Sequence, residues 1–117
     1  MIDNIEKYFR ILRDKINDID IGSIASAIEL IKKKIDSNNK IITCGNGGSA
    51  NTASHYITDW NKCFNLSTGR SFKGISLCDN TGLVTAYAND LAYDEIFSGQ
   101  LKNIGEENDL LIVVSGS

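Results

Sequence analysis

The sequence predicts an α/β fold built on a doubly wound parallel sheet. Three observations carry that reading. First, KIITC (40–44), GISLC (74–78) and LLIVV (110–114) are short apolar runs that read as strands buried on both faces. Second, the stretches between them have helical periodicity and are long enough for crossover connections. Third, each run ends in a small polar loop: Gly45-Asn46-Gly47-Gly48-Ser49, Asp79-Asn80-Thr81 and Ser115-Gly116-Ser117.

Two helices are expected ahead of the sheet. Residues 2–19 place Ile2, Ile5, Phe9, Leu12, Ile16 and Ile19 at alternating steps of three and four, a narrow apolar seam. Such a seam suits a surface helix lying on its own domain or a helix packed against another subunit. A second helix is predicted over about 23–37, with Ser23 as N-cap and Ile24, Ile28, Ile31 and Ile35 on one face. Lys32, Lys33 and Lys34 near its end suit the helix dipole and read as a solvated face. Ser37-Asn38-Asn39 stops the helix ahead of the first strand. The chain thus divides into N-terminal helices (1–37) and the front of a sheet domain (38–117).

Beyond the first strand a helix is predicted from Ser49 to about Lys62, its apolar side formed by Ala50, Ala53, Ile57 and Trp60. FNLSTGRSF (64–72) reads as a loop. After the second strand, Asp79-Asn80-Thr81 caps a short helix reaching about Ala88, and Asn89-Asp90 breaks it. Tyr93–Ile104 forms another helix with Gly105 as C-cap, and Leu110–Val114 is the third strand. A strand followed by a Ser-Gly-Ser turn normally leads onward, so the chain is expected to be a fragment of a longer domain.

Composition narrows the function. The 117 residues carry a formal charge of −3 and an isoelectric point near 5.0, unlike a protein that binds nucleic-acid backbones. No apolar run is long enough for a membrane span, and the mixed charges of MIDNIEKYFRILRDK are unlike a signal peptide. Cys44, Cys63 and Cys78 show no CxxC spacing and are expected to be reduced thiols in a cytoplasmic protein.

The chemistry is expected at the carboxyl ends of the strands, where open parallel sheets bind ligands. Glycines let backbone N–H groups approach a ligand closely, and the following helix N-terminus favours an anion such as phosphate. One such loop is satisfied by a tight turn alone, but three along one edge favour a ligand. No GxxxxGK[ST] motif is present. Gly45, Gly47 and Ala50 do match G-x-G-x-x-A, but Asp79 follows Gly47 by 32 residues instead of about 20. No nucleotide cofactor is therefore expected. One turn past the loop, His55 and Asp59 stand four apart on one helix face. That spacing suits a metal pair, a proton relay or a plain helix-stabilising contact.

CGNGGSANTASH (44–55) followed by Asp59 resembles the start of the sugar-isomerase (SIS) domain of the phosphoheptose isomerases, which act on sedoheptulose 7-phosphate. TAYANDLAYDEIFSGQL (85–101) is similar to the family's Asn-Asp pair with a following aromatic residue, and DLLIVVSGS (109–117) to its third strand and serine loop. The resemblance implies a flavodoxin-like sheet of about five strands, truncated here after the third. It implies a homotetramer with the N-terminal helices in the subunit contacts. It also implies aldose–ketose isomerisation of a seven-carbon sugar phosphate, supplying lipopolysaccharide or capsule heptose.

By position, the resemblance assigns Asn46, Gly47, Gly48 and Ser49 to the sugar-phosphate pocket, Asn89 and Asp90 to substrate, and Ser115 and Ser117 to phosphate. It makes His55, with Asp59, a zinc-binding pair, and Asp59 the catalytic acid/base. The chain departs from the family in two ways. Asp59 stands where the family usually has glutamate, one methylene longer. The family also continues past the serine loop, supplying a further serine, a glutamine and a second catalytic histidine, so this chain by itself is expected to be inactive. An alternative is a non-catalytic SIS binding protein similar to the bacterial DnaA initiator-associating protein, with Asp59 a relic.

Overall fold

A computed structural model describes residues 1–116; Ser117 lies outside the described residues. Two compact units are present, Met1–Leu30 and Ile31–Ser117.

The first unit contains helix α1 (Ile2–Asn17) and most of helix α2 (Ile21–Asp36). Every one of its residues is exposed, including the seam residues Ile2, Ile5, Phe9, Leu12 and Ile16. Ile19 falls beyond the end of α1. Ser23 is not the cap of α2. The helix starts at Ile21, and the carboxylate of the preceding Asp20 accepts from the Gly22 N–H at 2.9 Å and the Ser23 hydroxyl at 2.6 Å. Asp20 is the stronger acceptor, and its pKa is lowered mainly by the Ser23 hydroxyl.

The second unit is the predicted parallel sheet with helices on both faces. Strands β1 (Ile41–Gly45), β2 (Gly74–Ser76) and β3 (Leu110–Val114) pair in the order β2-β1-β3. β1 is buried throughout, as its apolar run predicts. Its alternate side chains serve opposite faces. Ile42 and Cys44 join Leu77 beneath Phe97, Leu101 and Ile104 of α6 (Glu95–Ile104). On the other face Thr43 donates its hydroxyl to the carbonyl of Ala53, in α3 (Gly48–Asp59), at 3.0 Å. That bond satisfies a fully buried polar side chain in the core. Gln100 does the same from α6, donating to the Leu77 and Ile96 carbonyls at 2.9 and 2.7 Å.

The outer strands differ from expectation. β2 has three residues instead of five: Leu77 still donates its N–H to the Thr43 carbonyl at 2.9 Å, but it and Cys78 already turn toward Asp79. β3 is not buried on both faces. Leu111 and Val113 are exposed, at 40 % and 63 %, and alternate with half-buried neighbours. Apolarity alone does not distinguish a strand covered on both sides from one covered on a single side.

The segment 64–72 also departs from its predicted loop. The helix of α3 continues through a π-helical turn (Trp60–Phe64) into α4 (Asn65–Thr68) and stops at Gly69, in the left-handed region with φ 68°. Aromatic packing compensates for the weak helix formers Asn, Ser and Thr. Trp60 stacks on Tyr56 with ring centroids 5.4 Å apart, Phe72 meets both Trp60 and Phe64, and the Arg70 guanidinium lies over Phe64. Helix α5 (Thr81–Asp90) is capped by the Asn80 side chain accepting from the Leu83 N–H. It runs through Asn89-Asp90, which were expected to break it. α6 starts at Glu95, not Tyr93, and Gly105 ends it in extended backbone without a left-handed turn. Among the described residues, no helix is long and apolar enough to cross a membrane.

Candidate functional site

Chain direction makes β1 and β3 the switch point of the sheet. From β1 the chain crosses through α3 to β2 on one side, then returns through α5 and α6 to β3 on the other. Parallel sheets open a ligand crevice at the carboxyl ends of strands that part in this way. The last registered pair is Gly45 with Val114, so the Asn46–Ser49 loop and Ser115-Gly116 leave the sheet side by side. Asn46, Gly47, Gly48 and Ser115 are exposed there, and Ser49 is half-buried. Two of the three expected loops are thus brought together. Ser117, expected to bind phosphate, falls outside the described residues.

The local sequence explains the loop's shape. Gly47 has φ 56° and ψ −125°, backbone that a side chain would strain. The turn closes as Ser49 N donates to Asn46 O at 3.0 Å and Ala50 N to Gly47 O at 3.1 Å, which starts α3 directly. Gly45 is required for a different reason. A Cβ on it would lie 2.5 Å from the Ser49 carbonyl oxygen. Below the loop, the Cys78 thiol donates to the Gly45 carbonyl at 3.3 Å. Burial, with Cys78 nearby, pushes the Cys44 thiol above its usual pKa, and all three cysteines are free.

His55 and Asp59 do form a pair, Nε2 to Oδ2 at 3.1 Å, with side chains 72 % and 52 % exposed. They lie on the outer side of α3, whose Ala53 and Ile57 face the sheet. At 1.5 Å rise per residue, His55 and Asp59 stand about 10 and 16 Å along the axis from Gly48. The phosphate-type loop and the acid/base candidate are therefore adjacent in sequence but separate in space. Two donors fall short of the three protein ligands of a catalytic zinc site. Among the described residues no group of three or more His, Cys, Asp or Glu side chains gathers to hold a metal.

Asn89 donates to the Asp90 carboxylate at 2.8 Å at the end of α5. Asp90 also lines a shallow cavity with Leu83, Ala86, Tyr87 and Leu91. A larger cavity of about 410 Å³ follows β2 and includes Asp79 and Asn80 of the second loop.

One site residue escaped sequence reasoning. Tyr93, expected as the first residue of a helix, instead lies in the connection between α5 and α6. Its hydroxyl donates to Asn46 Oδ1 at 2.7 Å across 47 residues of sequence. The only signal for it was an aromatic residue shortly after Asn89-Asp90.

A glycine-asparagine loop beside Ser115 at the switch point defines an open, parallel α/β sheet protein of the doubly wound class. The chain belongs to the SIS domain family, whose model matches residues 6–117. Phosphoheptose isomerase of Shewanella halifaxensis is 40 % identical over 95 residues, 81 % of this chain and 48 % of that protein. The enzyme of Shewanella sp. strain ANA-3 is 39 % identical over the same shares. A phosphoheptose isomerase structure from Francisella tularensis matches with a TM-score of 0.89 and 27 % identity, covering 99 % of this chain and 62 % of that one. One from Neisseria gonorrhoeae gives 0.84 and 26 %, covering 98 % and 60 %. The chain spans about half the length of the curated relatives it matches.

Proposed function

We propose that this chain is the front half of an aldose–ketose isomerase acting on a seven-carbon sugar phosphate, of the sedoheptulose 7-phosphate type. The observation that carries the proposal is the pairing of Gly45 with Val114. It sets a glycine-asparagine loop beside a serine at the head of α3, in a chain whose relatives bear the name phosphoheptose isomerase. Backbone N–H groups, the Asn46 amide and Ser49 and Ser115 hydroxyls supply the donors a phosphate ester needs. A seven-carbon sugar phosphate carries its phosphate and its carbonyl at opposite ends.

Isomerisation moves a proton between C1 and C2 while a second group protonates the carbonyl oxygen. In this reading Asp59 is one acid/base group, held by His55 at 3.1 Å. His55 is the only histidine, so the partner group belongs to the part of the family this chain does not span. His55 and Asp59 are two ligands of a zinc site completed by that same part. A bound zinc would polarise the carbonyl. Asn89 and Asp90 contact the sugar, and the exposed apolar seam of α1 serves a cytoplasmic homotetramer.

The test is conversion of sedoheptulose 7-phosphate, with and without zinc, by this chain and by a version extended to the relatives' length. Turnover only in the extended protein is the expected result. Absence of turnover in both, with sugar-phosphate binding intact, would replace the isomerase with a binding module and remove Asp59's catalytic role.

A further inference from the structure

Asn46 is the first residue after β1, and its amide faces two donors. Its Oδ1 accepts from the backbone N–H of Gly47 at 3.0 Å and from the Tyr93 hydroxyl at 2.7 Å. An amide oxygen has two lone pairs, so the two bonds saturate it. The orientation of the amide is also determined. A backbone N–H can only donate, so a flipped amide would set donor against donor at Gly47. The Nδ2 amino group, with two N–H donors, is therefore left on the side away from Gly47 and Tyr93.

Gly47 alone makes a bond between neighbouring residues, which a rotation about the Asn46 side chain would break. Tyr93 supplies the long-range constraint. Its own position is set by the short connection between α5 and α6, where Glu95 N donates to Ala92 O at 3.0 Å and Ile96 N to Tyr93 O at 3.3 Å. The phenol thus ties the Asn-Asp end of α5 to the glycine loop of β1, the two segments that the proposed substrate would touch together.

We propose that Tyr93 is a positioning residue of the sugar-phosphate site: its hydroxyl holds the Asn46 amide with the amino group toward the ligand. The free edge of the Asn46 amide then presents only N–H donors and favours acceptor oxygens, such as those of a phosphate. This inference rests on the sugar-phosphate reading of the site for its ligand and on the Asn46 geometry for its mechanism.

The experiment uses ¹⁵N-labelled chain, wild type and Tyr93→Phe, which keeps the ring and removes only the hydroxyl. The side-chain amide resonances of Asn46 are followed, free and during titration with sedoheptulose 7-phosphate. Tyr93→Phe is expected to shift the Asn46 Nδ2 resonances while the backbone amide spectrum stays that of the folded chain. It is expected to weaken sugar-phosphate binding roughly 2- to 12-fold, the factor that one hydrogen bond spans. Unchanged Asn46 resonances in the variant overturn the positioning role. So does equal affinity in both proteins, which leaves the sugar-phosphate reading intact. Shifted Asn46 resonances with no titration response in the wild type uphold the Tyr93 constraint and overturn the ligand assignment.

Discussion

Replacing Gly45 by alanine tests the junction between sheet and loop directly. The new Cβ would lie 2.5 Å from the Ser49 carbonyl oxygen, 2.6 Å from its carbonyl carbon and 3.0 Å from the Ala50 nitrogen. Non-bonded carbons prefer about 3.5–4.0 Å, so the overlap with the Ser49 carbon is about 1 Å. All three obstacles are backbone atoms in the first turn of α3, and no side-chain rotation relieves them. Moving α3 away by that distance would loosen Ala53 and Ile57 against β1 and strain the 3.0 Å bond from Thr43 to Ala53. A gap of 0.5–1 Å forfeits a quarter to a half of each contact, and overpacked core positions cost about 1–3 kcal/mol. With a urea dependence of about 1.5 kcal/mol per molar, Gly45→Ala is expected to lower the unfolding midpoint by about 0.7–2 M. It should also weaken sugar-phosphate binding, because Gly47–Ser49 would move with the helix. Gly48→Ala is the control. Nothing lies within 4 Å of a Cβ there, and the position is helical, so its midpoint should hold or rise. Equal midpoints for Gly45→Ala and wild type would refute the close-approach argument.

Three further outcomes are expected. Asp109 faces desolvation, which raises its pKa, but the Glu106 and Lys40 backbone N–H groups and the Lys40 ammonium outweigh it and hold the carboxyl below its ordinary value. A depressed carboxylate contributes stability above its unfolded pKa of about 3.9 and loses it as pH falls through the folded value. Asp109→Asn should therefore be less stable than wild type at neutral pH, with the gap closing below about pH 4 in acid-unfolding curves. Asn61 clamps the outer edge of β2, donating to Gly74 O at 3.0 Å and accepting from Gly74 N at 3.1 Å. Asn61→Ala should cost about 1–2 kcal/mol, read as a fall in Tm of about 4–8 °C, and an unchanged Tm would show the clamp to be idle. Val113→Lys places a charge on the exposed face of β3 and should reduce concentration-dependent light scattering without changing the unfolding midpoint.

The parallel sheet, its three strands and the loop after β1 were legible in the sequence because they depend on local chemistry. KIITC can be little else than a buried strand, and Gly47 marks a backbone angle that other residues avoid. The pairing of His55 with Asp59 followed from helical spacing alone. Tertiary structure decided the rest. LLIVV and KIITC look alike as sequences, yet only β1 is covered on both faces, because coverage depends on neighbours that a strand does not encode. The helix through FNLST persists against weak propensity because Trp60, Phe64 and Phe72 pack together across a turn. The register that sets Ser115 beside Asn46, the distance along α3 from loop to Asp59 and the hydroxyl of Tyr93 on Asn46 join segments far apart in the chain. Periodicity reports which face a residue takes; only the folded backbone determines what that face meets.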